Sequence, residues 1–308
     1  MRTTVFVTGA TGYLGGSLAR ALVERGDDVL GLVRDEARAD ALARAGCEPV
    51  LGDLDDAAAL GAAARRADAV VNAADSDHRG AVEALLDALA GTSKPLLHTS
   101  GSSILADDAR GEHGDAVFTE ADVTSGASWR PVAAKAQRVA IDRLVLEGAR
   151  RGIRTAVLCN TLVYGHGRGL SRDSAQLPRL RDLALRTGTA RHVGPGRNVW
   201  SSVHLDDAVD LYLLALERAP AGAFYFVESG EADFKAMTQA IADAAGLGPA
   251  QSIDVDGAIA EWGYATAVYS LGSNSRVRGE RARAELGWVP TRPPVLDWIA
   301  DELLAPAG

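Results

Sequence analysis

TVFVTGATGYLG, residues 4–15, decides the fold of this chain. Val5, Phe6 and Val7 sit between threonines in a short apolar run with the composition of a buried strand. Glycines follow at positions 9, 12 and 15, and a helical pattern begins immediately, over about 13–25. Glycine at those places meets three needs: a tight turn, a close approach of backbone to a ligand, and contact between helix and strand. The helix that follows offers free N–H groups and the positive end of its dipole to an anion. The stretch therefore predicts a diphosphate cradle built from Gly9, Thr11, Gly12, Tyr13, Leu14 and Gly15, and a nucleotide as ligand.

Outward from this turn, short apolar runs alternate with helical segments. The runs are 28–33, 49–51, 69–73 and 95–100, and the helices lie near 36–45, 55–66 and 78–90. Such alternation predicts an α/β fold of the Rossmann type, with a doubly wound parallel sheet. A Gly-, Asp- and Ser-rich connection from Ser100 to Ser128 reads as loop, followed by a helix over about 131–150 and a strand at 154–160. Beyond this the alternation weakens. Residues 162–174 read as loop, 206–219 as a helix opened by capping aspartates, 223–228 as a strand, and 231–308 as short helices and turns with a stop at Gly287. The expected organisation is a dinucleotide-binding core over 1–165 and a smaller, interleaved C-terminal substrate lobe over 166–308, of which about 195–228 returns to the Rossmann sheet. There is no internal repeat or low-complexity tract.

The 308 residues suffice for a substantial core, with 47% apolar and 24% charged side chains. A net charge of −9 repels a phosphate backbone, which argues against nucleic acid as a partner. Cys47 and Cys159 are too few for a disulfide framework and fit a reducing cytoplasm. No leader pattern opens the chain, and no apolar run reaches the roughly 18 residues of a membrane span.

Residues at the strand tips refine the ligand. Val33-Arg34-Asp35 ends the second strand. A carboxylate there accepts ribose hydroxyls, whereas an arginine pairs with a 2′-phosphate. Arg34 leans the expectation to NADP, and Asp35 leaves NAD open. Asp53-Leu54, after the third strand, stands at the height of an adenine, and Asn72-Ala73-Ala74 follows the fourth beside the dinucleotide path. Each of these also has an ordinary reading as a cap or turn residue.

Taken together, TGATGYLG, GDLDD, VVNAAD, HTSGSS, the helix with Lys135, LVYGHG, SVHLDDAV and RVRGERARAELGWVP resemble the extended short-chain dehydrogenase/reductase family, which includes nucleotide-sugar epimerases and dehydratases. The resemblance covers nearly the whole chain. It implies a serine or threonine after strand 5 and a Tyr-x-x-x-Lys in the next helix, where tyrosine passes a proton and lysine lowers its pKa and holds the nicotinamide ribose. Lys135 is kept, but Pro131 occupies the tyrosine position, and Gly101 falls where the serine would stand, flanked by Ser100 and Ser102. TSG and WRP together mark a divergent branch without the tyrosine.

Pro131 is structurally cheap in a first helical turn, where its missing N–H has no intrahelical acceptor. Lys135 is one of only three lysines, with Lys94 and Lys235, against 29 arginines, which favours a specific role as a compact three-donor ammonium. The groups that could replace the tyrosine are Ser102, His98, Tyr164 and His166. No His-x-x-x-His metal spacing occurs. Three functions compete: an NADP-dependent oxidoreductase acting on a small carbonyl, imine or conjugated alkene; a non-redox isomerase, cyclase or lyase; and a nucleotide sensor without turnover. The alanine-rich helices at 78–90 and 131–150 match, by resemblance, a four-helix homodimer contact.

Overall fold

The computed structural model describes residues 2–124 and 129–305. Its centre is a seven-stranded sheet of β1 (Thr4–Thr8), β2 (Asp28–Val33), β3 (Glu48–Leu51), β4 (Ala69–Asn72), β5 (Pro95–Gly101), β6 (Arg154–Asn160) and β7 (Ala223–Val227). The spatial order is β7-β6-β5-β4-β1-β2-β3, and every pairing is parallel. Strand order reverses at β1, which pairs with β2 on one side and β4 on the other. The carboxyl ends of β1 and β4 therefore open the crevice where such sheets take ligands.

Helices cover both faces, as the near-continuous apolar strands require. Val5 and Val7 of β1 face α1 (Tyr13–Arg25) and α6 (Leu205–Arg218), packing with Leu18, Leu22, Val209 and Tyr212. Phe6, alternating with them, faces the opposite layer of α3 (Ala57–Arg66), α4 (Arg79–Leu89) and α5 (Ala136–Glu147), with Leu60, Leu85 and Val145. At the edge lies α2 (Glu36–Arg44). A third apolar cluster, holding Leu162, Leu177, Trp200, Phe234, Met237 and Trp298, forms the core of the C-terminal part. It packs around a small sheet of residues 162–164, 199–204 and 230–233.

The structure departs from sequence expectation in several places, among them strands at Gly230–Asp233, Gln251–Ile253 and Val277–Arg278 in the part read as short helices and turns. The connection after β5 is more ordered than its composition suggests. It holds a 3-10 turn at Ser102–Leu105, a strand at Phe118–Thr119 and a helix at Glu120–Thr124, while its last residues, 125–128, lie outside the described residues. Residues 118–119 pair with 277–278, a distant partner that local pattern cannot reveal. The helix expected from 131 begins only at Ala136, after a 3-10 turn at Ala133–Lys135, because Val132 is extended at φ −58°, ψ 150°. Pro131 thus precedes the helix. Residues 162–164 form a strand beside 202–204. Finally, α6 is capped by His204, whose Nδ1 accepts the Asp206 N–H at 3.1 Å. Asp207 instead accepts the N–H groups of Thr291 and Arg292 at 3.0 and 3.1 Å, tying down the C-terminal chain.

Candidate functional site

The turn after β1 is shaped by contacts that exclude side chains. Gly9 has φ +72°, and a Cβ there would stand 2.6 Å from the Ala73 carbonyl oxygen. At Gly15 a Cβ would come within 2.4 Å of the Gly9 carbonyl oxygen. Gly12 caps α1 with no side chain over the helix end, so the first N–H groups stay free for an anion. The turn thus leaves the helix start uncovered at the place where the sequence expects a diphosphate.

Beside it opens a cavity of about 390 Å³, lined among others by Gly9, Thr11, Asp53, Leu54 and Ala74. Arg34 and Arg38 also line it. Asp35 does not: its carboxylate caps α2, accepting the Arg38 N–H at 2.9 Å. Asp53 accepts the N–H groups of Asp55 and Asp56 at 2.9 and 3.0 Å, so its turn role and its place in the cavity coexist. His78 caps α4 through Nδ1 and reaches Asp55 through Nε2 at 3.2 Å. On the other flank of the turn, Tyr13 and Leu14 border an open cleft against Asp173, Ser174, Pro178 and Arg179. The Tyr13 hydroxyl donates to the Gly165 carbonyl at 2.8 Å, and burial pushes its pKa well up.

Beneath the turn runs a buried polar chain. The Thr8 hydroxyl donates to Asn72 Oδ1 at 2.6 Å and accepts the Ala73 N–H at 3.2 Å. Asn72 Nδ2 lies 3.1 Å from His98 Nδ1, and Ser100 donates to Asp142 Oδ2 at 2.8 Å. Asn72 and Ala73 therefore brace the turn from below and Ala74 lines the cavity.

Lys135 stands half-buried at the start of α5, with no hydrogen bond to its ammonium among the described residues. Its pKa is lowered by burial and by Arg138, with Asp77 opposing. Arg138, one turn on, forms a two-point ion pair with Asp77, Nε to Oδ1 at 2.9 Å and Nη2 to Oδ2 at 2.5 Å. Gly101 lies beside that guanidinium.

Three expected catalytic side chains point into the core instead of the cleft. Ser100 is 2% exposed and spends its proton on Asp142. Ser102, fully buried, accepts a hydrogen bond from the Ser275 hydroxyl at 2.8 Å. Tyr164 is 1% exposed, donates to the Pro293 carbonyl at 2.7 Å and packs on His204 and Trp298. His166 packs edge-on against Trp298, with Nε2 2.9 Å from the Glu302 carbonyl oxygen. The residues sequence reasoning missed are Arg38, His78, Asp77 and Arg138. A second arginine four positions after Arg34 was a readable signal. The Asp77–Arg138 pair, 61 positions apart, left none.

No group of His, Cys, Asp or Glu that could hold a metal occurs among the described residues, and no helix among them is long and apolar enough to cross a membrane. Switch-point crevice, glycine turn and flanking cavity together have the layout of a Rossmann-type nucleotide site. The chain belongs to the NAD dependent epimerase/dehydratase family, whose model matches residues 5–226. It is 34% identical to an oxidase, ucsJ, of an Acremonium species, over 96% of this chain and 95% of that one. Identity is 31% to the 4-hydroxy-2-methyl-3-oxo-4-farnesyl-3,4-dihydroquinoline-1-oxide ketoreductase of Stigmatella aurantiaca, over 94% and 92%. The fold matches UDP-glucuronic acid 4-epimerase of Bacillus cereus, solved with UDP-glucuronic acid and NAD, at a TM-score of 0.73 with 16% identity over 97% of both chains. At the level of the family the chain is an NAD(P)-dependent oxidoreductase.

Proposed function

We propose that this protein is an NADP-dependent reductase of a small carbonyl, imine or conjugated alkene. The observation that carries the coenzyme preference is the lining of the adenosine-side cavity: Arg34 and Arg38 border it while Asp35 is occupied as a helix cap. Two guanidinium groups suit a 2′-phosphate, and a carboxylate held by a helix end is not offered to a 2′-hydroxyl. The α1 N-terminus and glycine turn take the diphosphate. Lys135 holds the nicotinamide ribose, its three-donor ammonium reaching both hydroxyls. When bound, the nicotinamide supplies a hydride, and the protein's share is to hold the acceptor carbon in line. A positioned acid typically contributes about 10²- to 10⁴-fold, so a site without the tyrosine works more slowly or on acceptors that do not need one.

The exposed alanines 133, 136 and 140 of the α5 region, beside α4, support a homodimer through these helices. The free thiols of Cys47 and Cys159, both buried, suit a cytoplasmic location. Calorimetry with NADPH and NADH, followed by coenzyme oxidation against a carbonyl, imine and enone panel, tests the reading. NADPH should bind at least about tenfold more tightly, and Lys135→Ala should weaken turnover. Failure to bind either coenzyme overturns it, and substrate conversion with no net coenzyme change assigns a non-redox reaction instead.

A further inference from the structure

Gly101 ends β5 at the position where the family resemblance places a serine. A Cβ there would have as its nearest neighbours Arg138 Nη1 at 3.6 Å and the Asn160 carbonyl oxygen at 3.9 Å. Both are ordinary contact distances, so the glycine leaves room and the guanidinium borders it. That guanidinium is fixed from behind: Asp77 takes Nε and Nη2, and Nη1 donates to Ser103 Oγ at 3.2 Å. Three of its five N–H groups are engaged among the described residues, which leaves one on each terminal nitrogen for a further acceptor. The side chain is 19% exposed, enough to meet a ligand and too little to swing freely. Lys135 and Arg138, three residues apart, lie on one side of the helix start, which places the two cations as neighbours beside the end of β5.

We propose that Arg138 is the catalytic residue that receives the substrate oxygen, and that the substrate is a conjugated, electron-poor acceptor such as an enone or vinylogous carbonyl. This rests on the oxidoreductase reading above. A guanidinium keeps its proton beyond pH 12; it stabilises developing negative charge without acting as an acid. Reduction of a simple ketone leaves an alkoxide, about as basic as hydroxide. That species needs a proton donor. Reduction of an enone leaves an enolate oxygen, closer in basicity to a phenolate near ~10, which a fixed guanidinium can hold until water protonates it. In the step, the substrate β-carbon gains a C–H bond from the hydride of the reduced nicotinamide. The C=C π pair moves into a new π bond between the α-carbon and the carbonyl carbon, and the C=O π pair moves onto the oxygen facing Arg138. The nicotinamide is left oxidised, and water then protonates the α-carbon. Asp77 is a positioning residue that keeps the guanidinium plane in place.

The test compares wild type with Arg138→Gln, Arg138→Lys and Asp77→Asn, with folding checked by circular dichroism. The NADP⁺ complex is titrated with 4-nitrophenol, whose colour reports its ionisation, and turnover is read with cyclohexenone and cyclohexanone. Wild type should lower the apparent pKa of bound nitrophenol and should favour the enone at least about 100-fold. Arg138→Gln should abolish the nitrophenol shift and lower kcat on the enone by about 10²- to 10³-fold with NADPH affinity unchanged, and Arg138→Lys should fall between. Asp77→Asn should retain part of the shift. The proposal is overturned if Arg138→Gln keeps kcat within about twofold of wild type, if wild type leaves nitrophenol unshifted, or if the saturated ketone reacts as fast as the enone. Absent NADPH binding by wild type would instead overturn the oxidoreductase reading itself.

Discussion

His98 Nε2 faces Asp142 Oδ1 across 3.7 Å between β5 and α5, and neither atom has a hydrogen-bond partner among the described residues. Both side chains are almost fully buried. Burial, reinforced by Arg138, lowers the imidazole pKa to about 4. Burial also raises the carboxyl to about 7, against the pull of Ser100 and Arg138. Between about pH 4 and 7 both groups are therefore neutral, which spares the core two unpaired charges.

Opposite pH dependences follow. Histidine titrates near ~6.5 when unfolded, so its contribution is present above that pH and is lost as pH falls toward 4. Aspartate titrates near ~3.9 unfolded, so its contribution is present below that pH and is lost as pH rises toward 7. In the shared window the two slopes, each up to about 1.4 kcal/mol per pH unit, nearly cancel. Asp142→Asn should make stability rise with pH between about 4 and 6.5, and His98→Gln should make it fall. Urea unfolding at several pH values reads both slopes; slopes of the same sign in the two variants would refute the assignment.

Gly15→Ala should abolish coenzyme binding and lower stability together. The added methyl would meet the Gly9 carbonyl oxygen at 2.4 Å, backbone that cannot swing aside, and the turn that shapes the diphosphate cradle would have to move. A cost of about 1–3 kcal/mol should appear in thermal unfolding, with loss of NADPH fluorescence enhancement. Unchanged affinity would show that the cradle tolerates displacement.

Arg34→Ala and Arg38→Ala should each weaken NADPH by about 10- to 100-fold, the worth of one charge-assisted contact, and leave NADH nearly untouched. Asp35→Ala should leave the NADPH/NADH ratio unchanged and cost about 1 kcal/mol of stability through loss of the α2 cap. Isothermal titration with both coenzymes separates these cases. A ratio shifted by Asp35→Ala would mean that the carboxylate reads the ribose after all.

Tyr164→Phe should retain turnover within about threefold while losing about 1 kcal/mol of stability, because the hydroxyl of this buried tyrosine donates to the Pro293 carbonyl. Loss of kcat with an intact melting temperature would return Tyr164 to the list of proton donors.

The parts legible in the sequence were those with local causes. The strand, glycine turn and helix of residues 4–25 are set by apolar spacing and by positions where a Cβ has no room, and Arg34, Asp53, Leu54 and Ala74 were found because strand tips in a parallel sheet converge on one crevice. Hydroxyl groups were harder. Ser100, Ser102 and Tyr164 lie next to the right strands, yet a one-residue change in side-chain direction sends each into the core, toward Asp142, Ser275 and Pro293.

The sequence by itself determined the parallel α/β fold and a tight glycine turn between the first strand and helix, since strand and helix periodicity and the absence of a side chain at glycine act over a few residues. Only the tertiary structure decided which polar side chains gather between the end of β5 and the start of α5. The ion pair of Asp77 with Arg138, and the buried neutrality of His98 with Asp142, each join side chains more than 40 positions apart; they exist because the folded sheet stacks strand ends against α5 and takes those groups out of water, a change of environment no local pattern encodes.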